Sequence, residues 1–172
     1  MTDHVILVDN NDNELGYEEK MKAHQNAQLH RAFSIVIINS KKEMLLQQRA
    51  AHKYHSGGLW SNACCSHPRP EESLEQAAHR RLVEEMGFDC ELEEIHHFIY
   101  YAELDNDLKE HEYDHVLLGS YDGDVTANPE EVQDYKWMSV RNLVLDMENK
   151  PSLYTEWFKI LMQNLKHTDL FK

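Results

Sequence analysis

Apolar and polar positions along this chain fall into short strand-like runs, interrupted by polar turns and by segments of helical period. Arg31 to Asn39 (RAFSIVIIN) is apolar and β-branched, which predicts a buried strand. Ser40-Lys41-Lys42 reads as a turn and Glu43 to Gln48 as the returning strand, so a hairpin is expected. His52 to Asn62 (HKYHSGGLWSN) predicts a loop hinged at Gly57-Gly58. The best-marked helix runs from Leu74 to about Met86. Ser73 and Gln76 supply a capping box, and Gly87 stands where a C-terminal glycine is expected. Strands are expected near Cys90 to Tyr101, Tyr113 to Tyr121 and Val132 to Met138, with Asn128-Pro129 as punctuation. Ser139 would cap a short helix to about Met147, and Ser152 to Lys166 a final amphipathic one. The polar stretch Glu18 to Leu29 predicts a short helix or an ordered arm. With no repeat or linker, the reading is one α/β (α+β) domain.

Length agrees with that reading, since 172 residues fit one domain with a sizeable core. No run approaches the ~20 apolar residues of a membrane span. Met1 to Asn13 lacks the basic-then-apolar pattern of a secretory signal, so a cytoplasmic location is expected. Charge changes the picture more. Seventeen basic residues against 31 acidic give a net charge of −14, which disfavours nucleic acid and anionic membrane as partners. An anionic substrate would therefore need the few cations gathered at its site. The sequence is silent on oligomeric state, and a monomer is the default expectation. Cys64, Cys65 and Cys90 are too few for a disulfide framework and read as reduced thiols.

Three constellations carry candidate chemistry. In Glu110-His111-Glu112-Tyr113-Asp114, strand alternation puts the three carboxylates on one face. Either that face is a solvated edge, or a cation sits among the carboxylates. His24, His30 and His67 would complete a nitrogen and oxygen site for Mn²⁺, Zn²⁺ or Mg²⁺, assembled only by folding. The second constellation is on the Ser73 helix, where Leu74, Ala78, Arg81 and Glu85 share a stripe. Arg81 and Glu85 are there either as a surface i,i+4 pair or as a phosphate contact beside a metal ligand. The third is cationic. Lys20, Arg49 and Lys53, joined by Arg81, are what a diphosphate ligand would require.

The helix and its approach resemble the Nudix family box, G-x5-E-x7-R-E-U-x-E-E-x-G-U, through Glu72, Arg80, Leu82, Glu84, Glu85, Gly87 and Phe88. Ser66 stands at the first glycine and Arg81 at the glutamate after the arginine, which argues against pyrophosphate hydrolysis. Those departures, with LHRAFSIVIIN, LLQQRA, GLWSNACCSHP, EHEYDHVL and the closing Tyr-Thr-Glu-Trp-Phe in order, resemble the type 1 isopentenyl-diphosphate isomerases over nearly the whole chain. The resemblance implies a Nudix-like mixed sheet flanked by helices, with residues 1–30 contributing metal ligands to a core of 31–172. It implies a small allylic or homoallylic diphosphate as substrate. It further implies one divalent ion (Mn²⁺, Mg²⁺ or Zn²⁺) held by His24, His30, His67, Glu110 and Glu112. Mg²⁺, arriving with the diphosphate, would be held by Glu85 and the Cys65 backbone carbonyl. Lys20, Arg49, Lys53 and Arg81 would contact the diphosphate. Cys65 would be one acid/base group, Glu112 with Tyr100 the other, and Trp157 would face the carbon skeleton. A nucleotide-cleaving hydrolase and a non-catalytic metal-binding protein are the rival readings.

Overall fold

The computed structural model describes residues 3–171 and confirms a single mixed sheet with helices on both sides. In chain order the elements are β1 (His4–Val8), β2 (Glu14–Glu19), α1 (Lys20–Gln25), β3 (His30–Ile38), β4 (Glu43–Arg49), β5 (Trp60–Asn62) and β6 (Cys64–Ser66). There follow α2 (Leu74–Met86), β7 (Glu93–Glu103), β8 (Lys109–Ser120), β9 (Val132–Ser139), α3 (Val140–Asn149) and α4 (Glu156–Asn164).

The expected hairpin is present but splayed. β3 and β4 pair beside their turn, at Ile38 and Met44. Beyond that point β3 pairs with β6 and β4 with β5, so the strands diverge around a central gap. β3 runs parallel to β8 on its other flank, β8 pairs with β7, and β9 pairs with β4. Alternation along β3 divides the core. Phe33, Ile35 and Ile37 pack with Leu82 and Met86 of α2. Val36 joins Val116, Phe158 and Leu161 on the α3/α4 side. Each apolar face thus has a helical cover, which is why a strand as apolar as β3 is stable in the middle of the sheet.

α2 forms as its end signals require. Ser73 Oγ accepts from the Gln76 backbone and Gln76 returns the bond, while Gly87 closes the helix at φ 73°. Such a cap stabilises a helix by about 1 kcal/mol. The expected short helix within Glu18 to Leu29 is α1, and a β1–β2 hairpin precedes it. Asp12 at its turn ties it down, accepting from Arg31 Nε (2.8 Å) and meeting His115 Nε2 (2.9 Å). The predicted 52–62 loop ends in β5, and Cys64–Ser66 is itself a strand. The last helix starts at Glu156, capped by Thr155, because Tyr154 is extended and buried in the core ahead of it.

Candidate active site

The acidic face of β8 is interior. β3 and β7 flank it, and Glu110, Glu112 and Asp114 are 6%, 6% and 1% exposed. The solvated-edge alternative is thereby overturned. Register explains what collects there. His30 lies opposite Glu112 on β3, Ser34 opposite Val116, and Cys65 of β6 opposite Ser34, so all four side chains of the site point to one face. His30 Nε2 and His67 Nε2 approach the same Glu112 oxygen at 3.2 and 2.9 Å. Tyr100, opposite Glu112 on β7, places its hydroxyl 2.5 Å from Glu112 Oε1 and 2.6 Å from Glu110 Oε2. Tyr101, its neighbour on β7, is half exposed on the other face.

This donor set fits a divalent ion. The Nδ1 atoms of His24 and His30 donate to the Lys20 and Gln28 carbonyls (2.7 and 2.9 Å), so each Nε2 carries a lone pair. His24 Nε2 is buried with no hydrogen-bond partner, 4.0 Å from Glu110 Oε1. Lone pairs facing carboxylates repel unless a cation lies among them. One atom each from His24, His30, His67 and Glu112 lie within 4.8 Å of one another, as do atoms of His24, His55 and Glu110. Burial, and then the charge of Glu112, push the Glu110 carboxyl well above the ordinary range. Burial would raise Glu112 too, but its contacts with His30 and His67 outweigh that and hold it well below.

Cys64 and Cys65 face opposite ways, as strand neighbours must. Cys64 is buried on the α2 side, where its thiol donates to Glu85 Oε2 (3.0 Å). Cys65 faces the pocket, lined also by Arg49, Tyr54, His55, Tyr100, Glu110, Glu112 and Trp157. A relay of bonds fixes both ends of that pocket. Trp157 Nε1 donates to Ser61 Oγ (3.0 Å), Ser61 donates to Asn62 Oδ1 (2.9 Å), and the Cys65 thiol donates to the same oxygen (3.2 Å). Burial, followed by the Asp114 carboxylate, raises the Cys65 thiol, so it is protonated at neutral pH.

A second, cationic pocket adjoins the first at Ser66 and His67, with Lys20, Lys53, Arg69, Arg80 and Arg81 in its wall. The Lys20 and Lys53 amines lie 4.6 and 5.7 Å from the Tyr54 ring. Arg81 pairs with Glu84 (2.6 Å), Glu85 (3.1 Å) and Glu131 (3.5 Å), yet its Nε is buried without a partner. Glu85 is buried, so the surface-pair alternative for Arg81 and Glu85 does not hold. Arg49 lines the first pocket, which adjoins this one, with its guanidinium 5.1 Å from the Trp157 ring.

The structure thus brings His24, His30, His67, Glu110, Glu112, Cys65, Tyr100 and Trp157 around one pocket or its wall, and Lys20, Lys53 and Arg81 around its neighbour. Sequence reasoning passed over Tyr54, His55, Ser34, Asn62 and Glu131. The loop before Gly57 carries no periodicity, and Glu131 reaches Lys53 (2.6 Å) from a distant turn. Only the unusual density of histidine in His52 to His55 was a signal.

The chain is similar to known proteins in both sequence and fold. Residues 28–158 match the NUDIX domain. Isopentenyl-diphosphate Delta-isomerase 2 of Photorhabdus laumondii is 51% identical, covering 99% of this chain and 96% of its own. Isopentenyl-diphosphate Delta-isomerase 1 of Aromatoleum aromaticum is 54% identical over 92% of this chain and 90% of its own. In fold, the chain is similar to DR0079 of Deinococcus radiodurans (TM-score 0.76, 13% identity, 93% and 98% of the two chains). It is also similar to a MutT protein of Methanosarcina mazei (TM-score 0.65, 22% identity, 79% and 91%).

Proposed function

Since the chain belongs to the NUDIX domain family and, within it, to the isopentenyl-diphosphate Delta-isomerases, we propose that its two adjoining pockets divide the work of that reaction. The enzyme interconverts isopentenyl and dimethylallyl diphosphate. The diphosphate binds among Lys20, Lys53 and Arg81, with Arg49 at the boundary, and the five-carbon tail enters the pocket of Cys65, Glu112, Tyr100 and Trp157. The observation that carries this reading is the junction at Ser66 and His67, which sets a cationic pocket directly against a buried acid/base pocket.

Anchoring the diphosphate holds a small hydrocarbon in register with groups that would otherwise meet it rarely. Cys65, protonated by its surroundings, delivers or removes a proton on one side. Glu112, steadied by Tyr100, does the reverse on the other. Protonating the alkene creates positive charge on carbon, and the Trp157 face stabilises it by ~2 kcal/mol or more when desolvated. The Asn62–Ser61 relay holds thiol and indole in fixed relation. A divalent ion held by His24, His30, His67, Glu110 and Glu112 would keep the carboxylates ionised and orient Glu112. Mg²⁺ arriving with substrate would be held by Glu85 and the Cys65 backbone carbonyl, supplying countercharge to the diphosphate.

Incubation with isopentenyl diphosphate and Mg²⁺ should convert substrate to its isomer without releasing phosphate. Released phosphate would point instead to a hydrolase. Arg81→Glu should raise KM at least tenfold, because it adds a fourth carboxylate to Glu84, Glu85 and Glu131 where the diphosphate needs a cation. Direct binding of inorganic pyrophosphate checks this, and unchanged affinity would remove Arg81 from the anion site.

A further inference from the structure

One imidazole in the pocket wall has no part in the roles above. His55 is 2% exposed, with its ring 6.1 Å from that of His24 and edge-on to Trp157 at 5.5 Å. Specific contacts hold its loop. His55 Nδ1 meets Ser56 Oγ at 3.1 Å, and Ser56 takes a left-handed φ of 54° while its N–H donates to Asp105 (2.9 Å). Gly57 lies so close to the Ala51 carbonyl that a Cβ would sit 2.4 Å from it. Such strain persists only where surrounding contacts enforce it.

What the loop positions is His55 Nε2, 4.0 Å from Glu110 Oε1, the same separation that His24 Nε2 keeps from that oxygen. That is too long for a hydrogen bond. It suits two donors each about 2.0–2.3 Å from a shared ion. His24 also decides how many ions are involved. Its Nδ1 is committed to Lys20, so one lone pair remains, and one lone pair serves one ion. His24 belongs both to the group with His30, His67 and Glu112 and to the group with His55 and Glu110, so the two groups meet at its one lone pair.

We propose that His55 is a further ligand of this ion, completing a set of four imidazoles and two carboxylates: His24, His30, His55, His67, Glu110 and Glu112. This rests on the metal centre described under the proposed function. Four imidazoles favour a transition ion such as Mn²⁺ or Zn²⁺ over Mg²⁺, whose preference is for oxygen.

The test uses His55→Phe, which retains a ring against Trp157 without a donor, beside His67→Ala, each stripped of metal and titrated with Mn²⁺ and Zn²⁺. His55→Phe should bind both ions at least tenfold more weakly, and pulsed EPR of bound Mn²⁺ should lose one imidazole coupling. Wild-type affinity and coupling in His55→Phe, with binding lost in His67→Ala, would overturn the proposal and leave the rest of the centre standing. Unchanged binding in both variants would overturn the centre itself, and this inference with it.

Discussion

Replacement of Cys65 by alanine should lower kcat by about 10²–10⁴-fold, the range expected for loss of a positioned acid/base group. Binding of inorganic pyrophosphate should stay within about threefold of wild type, because Lys20, Lys53 and Arg81 lie in the adjoining pocket. The thiol earns this weight from its setting. It is the cysteine of β6 that faces the pocket, and Asn62 fixes its orientation. Burial keeps it protonated at neutral pH. Cys64, on the opposite face and bonded to Glu85, offers no substitute within reach of the tail. Single-turnover kinetics of Cys65→Ala check the expectation, and near wild-type turnover would remove the thiol from the chemistry.

Glu112→Gln should have an effect as large for two separable reasons. The amide cannot take a proton from carbon, so kcat falls by about 10²–10⁴-fold even with the pocket otherwise intact. The same change removes the negative charge that His30 and His67 both face, so the affinity for a divalent ion should fall at least tenfold. Tyr100 would keep Glu110 as a hydrogen-bond partner, which limits structural collapse. Metal content and turnover measured on the same preparation resolve the two effects. Full activity would exclude Glu112 as an acid/base group, and full metal retention would exclude it as a ligand.

How much of this could be read from the chain depends on whether a feature is local. α2 is local: its cap, its box residues and Gly87 all lie within a few positions and appear where expected. β3, β4, β8 and β9 follow from runs of apolar or alternating residues. Pairing is not local. That β8 is interior, and its carboxylates therefore buried, depends on its parallel partnership with β3 and could not be decided from EHEYD itself. The short strand β5 lies in the stretch read as loop and β6 just beyond it, since three residues show no period. The choice of Cys65 rests on a resemblance, since that Cys64 and Cys65 face opposite ways depends on the pairing of β6 and not on their own sequence. His55 was missed because its meaning comes from His24 and Glu110, which lie far from it in sequence.

Exchange of protons between carbon and two opposed side chains is how this chain is proposed to move a double bond. The direct test is incubation with isopentenyl diphosphate and Mg²⁺ in deuterated water, with products followed by NMR. Dimethylallyl diphosphate carrying solvent deuterium should form with wild type and be nearly absent with Cys65→Ala and Glu112→Gln. Unchanged substrate from folded, metal-loaded enzyme, or isomer formed without deuterium, would contradict it.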